Sequence, residues 1–443
     1  AYHPDTPEVR KDWAQYYDRV TMMDTISGKQ LAELEKAGLA EDTIIFYYGD
    51  HGSGMPRSKR WPYDSGLHVP LLLRMPEKFR ALAPEGYLPG GISDRLIGFV
   101  DLAPTLLSLA GIQPPLWMQG QAFLGPFSTP APKHAHGFRG RMDERFDLVR
   151  SIRNQRYVYI RNYRPDLVYG QHIGYMFQTP TTRVWKELYD QGKLEGPPTA
   201  FWERKPPEEL YDLESDPDEV ENLAGSPRHQ RVLDELRRAL REHALRIRDL
   251  GFREETDIAN AQGMFPEAEM HRRATGTTVF EFAHDPQRYP LEPILEMADA
   301  ATGLEPAATA RLRSGLTDPD SGVRYWAVLG HLIRGADVVQ AARSALRDRL
   351  GDESPSVRIL TAWTLAAHGG ADDLSPALAT LAELAPPDRN GLHVSLLALN
   401  AIDALGPKAA SLHTTLATMP RQDPAAQPRM AEYVPRLVDW ILR

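Results

Sequence analysis

The sequence predicts an α/β unit followed by an all-α region, and three observations carry that prediction. Between about residues 9 and 112 the text runs helix, apolar run, loop, apolar run, helix. From about 126 to 250 short alternating segments surround polar turns, and beyond 291 helical patterning repeats itself. The boundaries read from these shifts are 1–125 for a partial α/β core, 126–250 for a small α+β unit, 251–290 for a poorly patterned linker and 291–443 for helical repeats.

Each element has a local reason. Thr6 and Pro7 form an N-cap and first-turn pair before apolar residues at helical spacing, and Gly38 ends them, predicting a helix over about 9–38. "TIIFYYG" is a β-branched and aromatic run of buried-strand type, and "VPLLLRM" is a second strand after a loop. "SDRLIGFVDLAPTLLSLAGI" reads as a helix with Gly111 as its C-cap. Residues 125–145 read as loop. "FDLVRSIRNQRYVYIRNY" gives two strands around a turn at Asn154 and Gln155, and "ELYDLESDPDEVENLAG" gives a strand entering an acidic turn. A charged amphipathic helix is expected over about 226–248.

The last region aligns with itself. Leu316 matches Leu350, Asp318 matches Asp352, Val323 matches Val357 and Arg324 matches Arg358, a shift of 34 residues, with a weaker third copy at "LHVSLLALNAIDALG". Such helical pairs resemble HEAT-type repeats, which implies a protein partner or a scaffolding role. An irregular helical bundle is the alternative.

Composition excludes several classes. A net charge of −9 over 443 residues argues against a general nucleic-acid binder, whose affinity needs excess Lys and Arg to neutralise phosphates. No stretch approaches the roughly 18 to 20 consecutive apolar residues of a membrane span. Zero cysteines rules out disulfides, thiolate metal sites and a cysteine nucleophile within these residues. The opening "AYHPDTPEVRKDW" has neither an initiator Met nor a targeting leader, so the text reads as beginning inside a longer protein and names no compartment.

The chemistry gathers where the first strand ends. Asp50 and His51 stand side by side after Gly49, at the carboxyl end of a strand, where ligands collect in α/β sheets. A carboxylate and a neutral imidazole can share a divalent cation, and Gly52 lets the chain turn away from it. A turn with a capped aspartate is the bland alternative. Arg57, Lys59 and Arg60 follow on the next loop, expected outside the core, where they could meet an anionic substrate or simply be solvated.

Taken together, "DTIIFYYGDHG", "KRWPYDSGLHVPLLLRMPE", "FVDLAPTLLSLAGI" and "ELYDLESDPDEVENLAG" resemble the C-terminal half of a type I sulfatase, an alkaline-phosphatase-like α/β fold, over roughly residues 1 to 250. The resemblance implies metal-dependent hydrolysis of a sulfate ester or sulfamate on a sulfated small molecule or carbohydrate. It implies that Asp50 and His51 are two ligands of an active-site cation, usually calcium. It also implies that Lys59, eleven residues before Pro70, is the sulfate-binding lysine, with Arg57 and Arg60 as nearby alternatives and His68 structural. "HAHGFRGRMDE" falls where related enzymes present substrate-pocket residues, making Arg139, Arg141, Asp143 and Glu144 candidates.

The departure is equally specific. Sulfatases carry a formylglycine made from a Cys or Ser in Cys/Ser-X-Pro-X-Arg, and two further metal-binding aspartates near the N-terminus. This sequence contains no such motif. The chain is therefore expected to lack the nucleophile and to be inactive alone. A phosphonate or phosphodiester hydrolase of the same superfamily, or a non-catalytic binding protein using the repeats, are the other readings.

Overall fold

The computed structural model describes residues 2–84, 86–256 and 278–443. The first helix, α1 (Pro7–Lys36), starts where Thr6 accepts a hydrogen bond from the Val9 amide, with Pro7 in its first turn. It ends before Gly38, whose φ of 71° is open to a residue without Cβ. Only Val9 of this helix is buried, and Tyr17, Met22, Met23, Ile26 and Leu31 are exposed.

Strands β1 (Ile45–Tyr48) and β2 (Leu71–Arg74) pair antiparallel, Tyr48 against Leu71 and Ile45 against Arg74. Residues 49–70 between them hold only one helical turn, at Asp64–Leu67. The connection is long enough for a crossover to a parallel neighbour, yet it returns the chain antiparallel beside β1. Helix α2 (Leu102–Leu109) contributes with β1 and β2 to a small core around Met75, Phe123 and Leu124.

The second sheet holds β3 (Ala135–Arg139), β4 (Val149–Arg153), β5 (Tyr157–Asn162) and β6 (Glu208–Asp212), antiparallel and in that order. The turn expected at Asn154 and Gln155 joins β4 to β5. β3 lies in the stretch read as loop. Its register places Gly137 opposite Ser151, and a Cβ on Gly137 would meet Leu67 Cδ1 at 2.4 Å, so the strand lies directly beneath the helical turn that precedes β2. A glycine chosen for close approach weakens the strand signal in the sequence.

Alternate residues of this sheet feed two layers. Ile152, Tyr159 and Leu210 pack on Leu233, Leu236 and Leu240 of α4 (Gln230–Ile247). Val149, Val158, Ile160 and Tyr211 face an aromatic layer of Trp61, Tyr63, Trp185, Phe201 and Trp202, in which Trp185 belongs to α3 (Pro180–Asp190). Helix α1 is tied to this layer by Asp12, which accepts from the Thr181 amide and hydroxyl at 2.7 Å each.

Beyond residue 278 the described chain is helical. After α5 (Leu291–Thr302), three 14-residue helices mark the repeat: α6 (Ser321–Arg334), α7 (Pro355–His368) and α8 (Leu392–Leu405). The starts of α6 and α7 are 34 residues apart, as the self-alignment predicts. Arg324 of α6 reaches forward to Asp352 before α7 (2.9 and 2.8 Å), and Arg358 of α7 reaches forward to Glu383 (2.9 Å). The final helix is α9 (Tyr433–Ile441).

The boundaries expected at 250 and 290 fall inside one apolar core. Leu148, Tyr163, Ala244 and Phe252 pack continuously with Ile294, Trp326, Leu360 and Leu396. Trp326 donates to the Phe252 carbonyl (3.0 Å), and Arg253 pairs with Asp320 (2.8 Å). Of the expected linker, residues 257–277 lie outside the described residues.

Candidate functional site

The loop between β1 and β2 is built by close backbone approach. The Gly52 amide donates to the Gly66 carbonyl (2.9 Å), and a Cβ on Gly52 would stand 1.8 Å from the Ser65 carbonyl oxygen. Gly66 is equally confined, 2.3 Å from the Ser58 carbonyl oxygen. Ser58 donates to Ser65 O at 2.6 Å, and the Lys59 amide donates to the Ser53 carbonyl at 3.1 Å. The Lys59 backbone is thereby tied to Ser53, which follows His51 by two residues.

Asp50 follows β1 directly, its side chain 87% exposed. His51 lies beside it, Nε2 at 3.7 Å from Asp50 Oδ2. His51 Nδ1 is 2.7 Å from the Gly52 carbonyl, which can only accept, so Nδ1 carries the proton and the neutral ring keeps its lone pair on Nε2. The pair suits a divalent cation as two donors. Calcium takes about six to eight oxygen ligands, so these two supply only part of a shell. Among the described residues, no group of three or more His, Asp or Glu is arranged to hold a metal.

Lys59 and Arg60 share one aromatic floor. Lys59 Nζ lies 5.7 Å from the centre of the Tyr175 ring and the Arg60 guanidinium lies 4.8 Å from it. Arg60 also pairs with Asp143 at 3.0 Å, while its carbonyl accepts from Arg139 at 2.7 Å. Arg60 and Asp143 both have positive φ, 82° and 53°. Non-glycine residues persist in that region only where the surroundings hold them, and such strain gathers at functional positions.

Arg57, expected outside the core with its neighbours, is turned inward. Its guanidinium lies between the rings of Tyr2 (4.2 Å) and Tyr63 (4.0 Å) and donates to the carbonyls of Asp218 (3.0 Å) and Glu219 (2.5 Å). Its backbone is in the left-handed region at φ 67°, and both guanidinium NH2 groups are spent on backbone oxygens. Burial pushes the Glu219 carboxyl up to about 8, against the pull of Arg57, while it accepts from the Asp64 amide at 2.8 Å. His68 pairs with Asp64 at 3.2 Å, which raises the imidazole.

The candidates on the β3–β4 turn are all engaged. Arg139 is buried and pairs with Asp147 at 3.0 Å, and burial lowers its guanidinium. Arg141 pairs with Glu255 at 2.5 Å. Asp143 holds Arg60. Glu144 is buried and accepts from the Gly174 amide at 2.5 Å. Tyr175, the floor beneath both cations, is a residue that sequence reasoning missed, because an isolated Tyr in an irregular stretch carries no periodic signal.

Residues 1–112 match the family model described as Sulfatase. A sulfatase of Formosa agariphila active on ulvan is 42% identical over 260 residues, covering 58% of this chain and 42% of that relative. The human N-sulphoglucosamine sulphohydrolase is 28% identical over 254 residues, covering 53% of this chain and 48% of the enzyme. A solved structure of a protein with its substrate D-glucosamine-2-N,6-O-disulfate aligns at a TM-score of 0.38 with 24% identity, covering 52% of this chain and 40% of that one. The chain spans less than half the length of these curated relatives. The matched residues 1–112, which hold the Asp50–His51 strand end and the Lys59 loop, are thus similar to the sulfatase family.

Proposed function

We propose that this chain supplies the cation-binding strand end and the sulfate-binding loop of a sulfatase, acting on a sulfate ester or sulfamate carried by a sugar. The observation that carries the reading is the tie of the Lys59 backbone to Ser53, two residues after His51, with Lys59 and Arg60 held over Tyr175. Asp50 and His51 Nε2 would give two donors to a divalent cation such as calcium. Lys59 would neutralise charge that accumulates on the sulfuryl oxygens as the ester bond breaks, where a fixed cation is worth more than on the bound ester. Arg60, tethered by Asp143, would orient a second sulfuryl oxygen. Arg141, Asp143 and Glu144 would shape the substrate side by fixing the turn. The family's formylglycine would supply the attack on sulfur, and no residue of this chain stands in for it. A sugar substrate is supported by the relatives, one active on ulvan and one named for N-sulphoglucosamine.

The helical region reads as a HEAT-like array. The 34-residue step and the forward-reaching Arg324 and Arg358 support that reading.

The test is binding of inorganic sulfate to this chain by isothermal titration. Lys59→Ala should abolish it, while Lys133→Ala on the exposed loop should not. In a catalytically complete protein containing these residues, Lys59→Ala should lower turnover of a sulfated sugar by about a hundredfold or more, the scale for one preorganised donor. A Lys59→Ala protein that binds sulfate like the parent would sink the assignment. Faster turnover of a phosphodiester than of a sulfate ester would move the protein to the related hydrolase class.

A further inference from the structure

The turn that carries Asp143 is held largely from outside the sulfatase-like portion. Met142 and Arg145 close it with reciprocal backbone hydrogen bonds of 2.7 and 3.0 Å, leaving Asp143 in the left-handed region at φ 53°. Asn400, in the middle of α8, donates from Nδ2 to the Glu144 carbonyl at 3.0 Å and accepts at Oδ1 from Arg145 at 2.8 Å. Asp403, one turn further along α8, pairs with Arg145 at 2.7 Å. Arg145 then donates from Nε to the His172 carbonyl at 2.8 Å, and His172 stacks on Trp440 of α9 with ring centres 3.6 Å apart. Three residues after His172 comes Tyr175, the floor under Lys59 and Arg60.

We infer that the helical region is a brace for the anion-binding loop: Asn400 and Asp403 hold the turn at residues 141–145 so that Asp143 and Tyr175 fix Arg60 and Lys59. The physical need is clear. A positive-φ aspartate and a positive-φ arginine joined by one ion pair are two strained backbones, and a strained pair keeps one geometry only if something rigid holds it. Arg145 is the link, because one guanidinium ties α8 to the segment that presents Tyr175. Its planar fork can serve both at once, which a lysine could not. Asn400 and Asp403 are positioning residues, since they touch neither cation of the loop. The inference rests on the proposed role of Lys59 for its functional consequence, and on contacts alone for the brace itself.

The experiment uses the full chain with two variants, Asn400→Leu and Asp403→Asn, and one control, Glu383→Gln, which loosens an exposed ion pair in the same region. Amide hydrogen exchange and titration with inorganic sulfate are read together. Both variants should speed exchange in peptides covering 141–146 and also 57–61, and should weaken sulfate binding by about threefold to thirtyfold, the range for residues acting through others. The control should change neither. Faster exchange at 141–146 with 57–61 unchanged would reduce Asn400 and Asp403 to local anchors and overturn the brace. If the parent bound no sulfate, or Lys59→Ala bound it normally, the reading of Lys59 would fall while exchange at 57–61 still decided the brace. Should Asn400→Leu not fold, Asp403→Asn carries the test, because Arg145 then keeps its bonds to Asn400 and to the His172 carbonyl.

Discussion

Arg57 and Lys59 are two residues apart and do opposite work. Arg57 is a buried cation whose charge is met by two carbonyl oxygens and two aromatic faces, so it ties the loop to the acidic turn at Asp218 and Glu219. Arg57→Ala should cost roughly 2 to 5 kcal/mol, the sum of charged-donor hydrogen bonds and a desolvated cation–π contact. Lys59→Ala should stay within about 0.5 kcal/mol of the parent, as surface substitutions do. Urea unfolding of the two variants checks this, and equal stabilities would mean that Arg57 is not held as described. A run of Arg and Lys reads as solvated because sequence records charge but not direction. The partners decide direction: Tyr2, Tyr63 and the Asp218 and Glu219 carbonyls take Arg57, and Tyr175 takes Lys59 and Arg60.

Among the elements, the repeat helices show how a period becomes a structure. The Asp of one copy and the Arg of the copy before it form a bidentate pair, Arg324 to Asp352, with Asp352 almost wholly buried. Removing one member of a buried pair strands the other, so Asp352→Ala should destabilise the helical region by about 3 to 5 kcal/mol. Asp352→Asn should cost less because it keeps an acceptor. Thermal unfolding followed by circular dichroism would measure both, and an Asp352→Ala loss below 1 kcal/mol would show that the pair does not join the copies. The helices, the turn at Asn154 and Gln155 and the 34-residue step are legible in sequence because each depends on residues a few places apart. Strand β3 is not. Its Gly137 is required by Leu67 packing over it, a contact no local window contains.

Over the whole molecule, buried titratable groups set opposing limbs of the pH profile. Burial lowers His3, His172 and His243 to about 4 and His136 to about 3. A histidine depressed in the folded state stabilises fully above its unfolded value near 6.5, and that contribution is lost as pH falls toward 4. Glu219, raised to about 8, has the opposite sign: its contribution is present below about 4.5 and lost as pH rises through 8. Stability should therefore peak near pH 6.5, with these four histidines contributing to the acid limb and Glu219 to the alkaline limb. Glu219→Gln should flatten the alkaline limb, raising Tm at pH 8.5 by several degrees relative to the parent. Calorimetry at pH 4.5, 6.5 and 8.5 checks the shape, and a parent more stable at 8.5 than at 6.5 would contradict it.

The sequence alone determined the helices, most strands, the 34-residue helical step and the placement of Asp50, His51 and Lys59 just after the first strand, because caps, periodicity and spacing are written in the order of the residues themselves. The tertiary structure alone decided that β1 and β2 run antiparallel, that Arg57 points inward, that Tyr175 underlies Lys59, and that Asn400 meets Glu144 across 256 residues. Those choices are made by packing between distant segments, where a favourable contact selects one direction among several the local chain permits equally.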